Sequence, residues 1–160
     1  MKPLTCLLLL FLSSCLSAAP PLQEKVKARV AKEYGGLAEL YKHLHAHPEI
    51  SFQEAKTSLR LGQEMKVLGF KVTQGIGGHG VVCVLKNGKG PTVLVRTDTD
   101  ALPVKEATGL PYASKQTTTD DRGIEVPVMH ACGHDVHMTC WVGAAKVLTS
   151  LKDQWGGTLL

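Results

Sequence analysis

The chain has 160 residues, 44% of them hydrophobic and 20% charged. That suffices for one domain with a packed core and excludes a disordered or collagen-like chain. Its 18 basic and 14 acidic side chains leave a formal charge of +4, too small and too evenly spread for a nucleic-acid-binding surface, so no nucleic-acid partner is expected.

The first residues read "MKPLTCLLLLFLSSCLSAAPPLQE": one lysine, an apolar run from Leu7 to Leu12, small residues, then Pro20-Pro21. This is the layout of a signal peptide over residues 1–18, with an apolar core too short to span a membrane. A buried first helix fits less well, because nothing polar interrupts the run and the two prolines end it. An exported product is expected, whether periplasmic, membrane-anchored or secreted. Leu16 and Ala18 fit ordinary signal cleavage. Leu12–Cys15, "LSSC", resembles a bacterial lipobox and is the favoured reading, since Ala19-Pro20 is awkward for ordinary cleavage; it implies membrane attachment through a lipidated Cys15. Without Lys2 the body keeps 17 basic and 14 acidic side chains, a net of +3.

Between Leu22 and about His45, Val26, Val30, Leu37, Leu40, Tyr41 and Leu44 recur at three- and four-residue spacing, predicting an amphipathic helix that Gly35-Gly36 breaks or bends. "SFQE" predicts a second helix with Ser51 as N-cap and Glu54 completing a capping box, followed by Leu59, Leu61, Met65 and Leu68 and ending at Gly69. Then the period changes. "FKVTQ", "VVCVLK" and "PTVLVRT" are β-rich runs separated by "GIGGHG" and "NGKG", so they predict strands of one sheet. "GIGGHG" matches a dinucleotide-binding pattern, but a strand rather than a helix follows it, so it reads as a turn. Residues 107–127, "ATGLPYASKQTTTDDRGIEVP", read as one long loop, a type that is often functional. A third helix is expected from "VHMTCWVGAAKVLTSL", with Met138, Trp141, Val142, Ala145 and Leu148 on one face and Asp135 as its cap. "GGTLL" leads into a last strand. No internal repeat is present.

Chemistry concentrates in "MHACGHDVHMTC", residues 129–140. Outside the leader the cysteines are Cys83, Cys132 and Cys140, an odd number that closes no disulfide framework. Cys132 and His134, one residue apart, converge only in turn or extended backbone, and a thiolate with an imidazole suits a borderline-soft divalent ion such as zinc. Asp135 beside them is a candidate support. Two ligands do not hold a catalytic metal, so at least two more must come from elsewhere. A Cys132 nucleophile activated by His134 or His137 is the rival reading, weakened because such partners usually meet through the fold. His130 and Cys140 read as structural, with Cys140 an inert buried thiol. In "VRTDTDALP", Asp98 and Asp100 stand at the C-terminal end of an apolar strand, where loops converge on ligands. In "HLHAH" only His43 and His47 share a helix face; the three histidines read as solvated or structural, His47 being nearest to a ligand.

"LHAHPEISFQE", "GPTVLVRTDTDALPVKEATGLPYAS" and "MHACGHDVHMTCWVGAAKVL", in this order and spacing, resemble the N-terminal third of the metal-dependent amidohydrolases that include hippurate hydrolase, N-acyl-amino-acid aminoacylases and indole-acetyl-amino-acid hydrolases. The resemblance covers Leu22 to Leu160. It implies an α/β fold, a three-layer zinc-peptidase-like catalytic domain with a mixed sheet flanked by helices, incomplete at its C-terminus over 22–160 and lacking the dimerisation domain. It implies two divalent ions, whether zinc, manganese, nickel or cobalt, with Cys132 and His134 as ligands, Asp100 orienting the metal-bound histidine, and His137, Asp135 and Asp98 as support or substrate contacts. Thr97 and Thr99 stand where the family pattern usually has Ala and Met, leaving both aspartates in place. The implied substrate is an N-acyl amino acid or short peptide, and full-length members are often homo-oligomers. The general-base glutamate and the other ligands are expected beyond Leu160, so these 160 residues alone are expected to bind metal weakly and not to turn over.

Overall fold

The computed structural model describes residues 20–160; the leader and its Cys15 lie outside them. Helix α1 spans Leu22–Ala46 and α2 spans Ala55–Val67. Strands β1 (Lys71–Ile76), β2 (Gly80–Asn87) and β3 (Thr92–Val93) follow, then β4 (Thr117–Thr119), β5 (Glu125–Pro127), α3 (His134–Ser150) and β6 (Gly157–Leu159). None of these helices is long and apolar enough to cross a membrane.

The main sheet has the order β1-β2-β6-β3. β1 and β2 form an antiparallel hairpin across "GIGGHG", β6 runs antiparallel to β2, and β3 pairs parallel to β6. The sheet is therefore mixed, as expected. Its alternation decides which side is covered. Val72, Cys83, Leu85 and Leu159 face the helices and pack with Met65, Phe70 and Ala145, whereas Lys71, Thr73, Lys86 and Thr158 point the other way. A second cluster joins α1 to α3 through Leu40, Leu44, Leu61, Met138 and Val142. Met138, Val142 and Ala145 are thus buried on the α3 face that the periodicity predicts.

The helix over Leu22–Ala46 does not break at Gly35-Gly36. Glycine costs about 1 kcal/mol at an interior helix position, and packing of the flanking turns on α3 outweighs it. Just before the glycine pair, Glu33 takes Arg29 at 3.0 Å and Lys146 of α3 at 3.3 Å, tying the two helices together. A Cβ added at Gly36 meets nothing within 4 Å. Gly36→Ala is therefore expected to raise stability by about 0.5–1 kcal/mol, read from urea denaturation.

The capping box also resolves differently. Glu54 occupies the N-cap position of α2 without a side-chain cap bond, and Ser51 turns elsewhere. Glu49 does the capping: its carboxylate accepts from Lys56 N at 3.2 Å, Thr57 N at 2.7 Å and Thr57 Oγ1 at 2.8 Å. A carboxylate reaching free amides at a positive helix end is worth about 1 kcal/mol, so Glu49→Ala should cost about that much in denaturation and Glu54→Ala much less. Leu59, expected on the buried face of α2, is 53% exposed, because the helix turns Leu61 and Met65 inward instead.

The long polar loop carries structure of its own, the hairpin β4-β5. Asp120 closes it by accepting from Arg122 N at 3.0 Å and Ile124 N at 2.9 Å. These backbone bonds, together with the Arg122 guanidinium, hold the Asp120 carboxyl below its ordinary range. Strands of three residues, Thr-Thr-Thr and Glu-Val-Pro, are too short to show an apolar alternation.

Candidate metal centre

An extended segment after β3 builds the site. Ala101 N donates to Glu49 O at 2.8 Å on one side, and Leu102 and Met129 exchange backbone bonds at 3.0 Å on the other. Isolated bridges Ile50 to Ala101 and Leu102 to Met129 mark the same alignment. The chain around Asp100 is thus held between the end of "HPEI" and the start of "MHACGHD", bringing together three stretches far apart in sequence.

At Gly133 the backbone enters α3 with φ of +76°, a left-handed conformation that glycine adopts without strain. This turn separates Cys132, exposed, from His134, the first residue of the helix. His134 Nδ1 lies 2.8 Å from the Asp100 carbonyl oxygen and 3.2 Å from its Oδ1. A carbonyl only accepts, so Nδ1 carries the proton and Nε2 presents its lone pair outward, the form in which a histidine binds metal. Asp100 is itself steadied by Ser51, whose Oγ donates to Oδ2 at 2.8 Å.

The other expected residues divide. The His137 ring stands 6.0 Å from that of His134, and His137 shares with Asp98, Cys140 and Trp141 a hollow of about 410 Å³. Asp98 and Asp100 also line a larger cavity of about 530 Å³ with Ser51, His79 and Trp141. Asp98 pairs with Arg96 at 2.5 Å. Asp135 is not the helix cap that its position predicts: Gly133 takes that place, and Asp135 is 2% exposed with Oδ2 accepting from His45 Nδ1 at 2.6 Å. Cys140 is exposed rather than buried, since the α3 core face passes through Met138 and Val142. His43 and His47 do share a face, their rings 4.5 Å apart, with His47 Nδ1 donating to His43 O at 2.8 Å.

Three residues escaped the sequence reading: His45, Glu106 and, in its actual role, Ser51. Of the two uses that the sequence leaves open for His45, solvated or structural, the fold takes the second and buries it between Asp135 and Glu106. No spacing signal links residues 61 and 90 positions apart. Burial alone would push the His45 imidazole down, but bonds to Asp135 and Glu106 prevail and its pKa is raised. Burial likewise opposes ionisation of Glu106, while Thr108, His45 and the Ser114 amide win and lower it. His130 is buried with neither ring nitrogen hydrogen-bonded, and desolvation lowers its pKa.

Among the described residues no three histidine, cysteine, aspartate or glutamate side chains converge closely enough to hold a metal ion. The donors that are present nevertheless suit one: an accessible thiol and an imidazole whose outer nitrogen is freed by Asp100.

Residues 94–159, which contain Asp98, Asp100, Cys132, His134 and His137, match the model of Peptidase family M20/M25/M40. The candidate site thus lies within the stretch that matches this family. The chain is 41% identical over 117 residues to hippurate hydrolase of Campylobacter jejuni, an alignment covering 72% of this chain and 28% of that protein. It is 37% identical over 124 residues to N-acetyl-L-cysteine deacetylase of Bacillus subtilis, covering 77% of this chain and 28% of the relative. The solved structure of the Bacillus subtilis YXEP protein, a dinuclear metal-binding peptidase of the M20 family, superposes with a TM-score of 0.67 at 32% identity, over 83% of this chain and 34% of that one. The chain thus spans about a third of the length of these relatives. Its mixed sheet with helices superposes on the corresponding part of that solved structure.

Proposed function

We propose that the chain supplies one side of a two-metal centre in an amidohydrolase that cleaves the amide bond of N-acyl amino acids or short peptides. The observation that carries this reading is the Asp100–His134 contact: it fixes the proton on Nδ1 and leaves Nε2 as a donor beside the exposed Cys132. Cys132 and His134 are the ligands, Asp100 orients His134, and Ser51 orients Asp100. His137 and Asp98, which share a hollow, are placed to meet substrate, and Asp135 supports the helix start. A divalent ion, whether zinc, manganese, nickel or cobalt, would supply Lewis-acid activation of the amide carbonyl and of a water. Relatives named for hippurate and N-acetylcysteine favour small acylated amino acids as substrates. Export guided by residues 1–18, with Cys15 as a lipid attachment point, belongs to the same reading, as does assembly of the whole protein into homo-oligomers.

The test is to express the chain with the reading frame that follows codon 160 and to assay amine release from hippurate and N-acetylcysteine. Hydrolysis abolished by chelator and restored by one of the four metals is expected. Chelator-resistant hydrolysis blocked by iodoacetamide would instead assign the reaction to a Cys132 nucleophile. A second reading, a metal-binding chain without catalysis, predicts uptake lost in Cys132→Ser with no hydrolysis in any form.

A further inference from the structure

Two carboxylates and a histidine from three separate segments meet beneath the start of α3. His45 Nδ1 donates to Asp135 Oδ2 at 2.6 Å and Nε2 donates to Glu106 Oε1 at 3.0 Å. Ionised carboxylates only accept, so a ring that bonds to both carries a proton on each nitrogen and is an imidazolium. The side chains of His45, Glu106 and Asp135 are 6%, 0% and 2% exposed. Remaining acceptors are also engaged: Asp135 Oδ1 takes Val136 N at 2.9 Å, and Glu106 takes Ser114 N at 2.5 Å and the Thr108 hydroxyl. The rings of Tyr41 and Tyr112 stand 5.6 Å from the imidazolium and pack around it.

Glu106 is thereby fixed by its own loop, and His45 by α1. Asp135 is the one member on the first turn of α3, directly after the candidate ligand His134 and joined through the Gly133 turn to Cys132. Its backbone cannot shift without moving His134 and the Cys132-Gly133 turn. We propose that His45 is a positioning residue: braced by Glu106, it grips Asp135 and so sets the direction in which the first turn of α3 presents Cys132 and His134. This rests on the reading of those two residues as ligands, so its test includes measurements made without metal.

The experiment compares the 160-residue chain with its His45→Gln variant, which keeps one amide donor but neither the charge nor the second donor. Val72→Ala, on β1 away from the start of α3, serves as a destabilised control. Amide exchange at residues 135–138, iodoacetamide labelling of Cys132 against Cys140, and Co²⁺ affinity are measured. In His45→Gln, exchange at 135–138 should rise about tenfold relative to residues 146–150, Cys132 labelling should change while Cys140 labelling holds, and Co²⁺ affinity should fall about 10–100-fold. Val72→Ala, which loosens the cluster around Ala145, should not raise exchange at 135–138 relative to 146–150. Equal exchange at the two ends of α3 in His45→Gln, with Cys132 labelling unchanged, overturns the proposal. Co²⁺ uptake by the unaltered chain that neither Cys132→Ser nor His134→Ala weakens would sink the ligand reading alone, since exchange and labelling still decide what His45 holds. Should His45→Gln not fold, Glu106→Gln, which keeps the shape and one acceptor, is read by the same criteria.

Discussion

Replacing Glu106 by alanine should lower the unfolding free energy by about 3 kcal/mol, the low end for removing one partner of a buried ion pair. The loss has two parts. His45 keeps a buried positive charge with one partner instead of two, and the Ser114 amide and Thr108 hydroxyl lose their acceptor. The pH dependence follows from the two shifts. Glu106 has a folded pKa below its ordinary 4.5, so its contribution is complete above that value and disappears as pH falls through the lowered one. His45 has a folded pKa above its ordinary 6.5, so its contribution is complete below 6.5 and disappears as pH rises through the raised one. The difference between the unaltered chain and Glu106→Ala should therefore be widest between about pH 5 and 6.5 and narrow on both sides, measured by urea denaturation across pH. A difference that stayed flat from pH 4 to 9 would mean that packing rather than charge holds the network.

Replacing Cys132 by serine should weaken Co²⁺ uptake by more than about 100-fold, because changes that merely support a ligand already cost 10–100-fold. The thiolate-to-cobalt absorption should vanish with it. Stability should stay within about 0.5 kcal/mol, since Cys132 is exposed and fills no cavity. Cys140→Ser, also exposed but on the flank of α3, should leave the absorption in place. If both variants bind Co²⁺ like the unaltered chain, the thiol is not a ligand. The pair of measurements thus separates Cys132 from the general affinity of surface thiols for metal.

The parts of the fold that were legible share one property: their signal is local and periodic. Met138, Val142 and Ala145 recur at helical spacing and are buried together. Cys83 and Leu85 alternate along β2 and face the helices. The turn at "GIGGHG" follows from its glycines and the strand after it. Where a residue had two plausible local uses, neighbours distant in sequence chose between them. Ser51 and Glu54 spell a capping box, but Glu49 reaches the α2 amides first and Ser51 is drawn to Asp100. Gly35-Gly36 spells a break, but Lys146 and Glu33 hold the helix against α3.

For the candidate site, residue types in "VRTDTDALP" and "MHACGHD" marked the aspartates and the thiol-imidazole pair as two separate candidates for chemistry, and only the resemblance to the amidohydrolases implied that Asp100 meets the histidine. Only the tertiary structure decided which nitrogen of His134 is free, since that depends on where the Asp100 carbonyl lies. It alone converted Asp135 from a helix cap to a buried partner and set His45, solvated or structural by its sequence, at the centre of an ion network. The physical reason is burial. A histidine among carboxylates takes its charge and role from groups that the fold, not the neighbouring sequence, brings within hydrogen-bond reach.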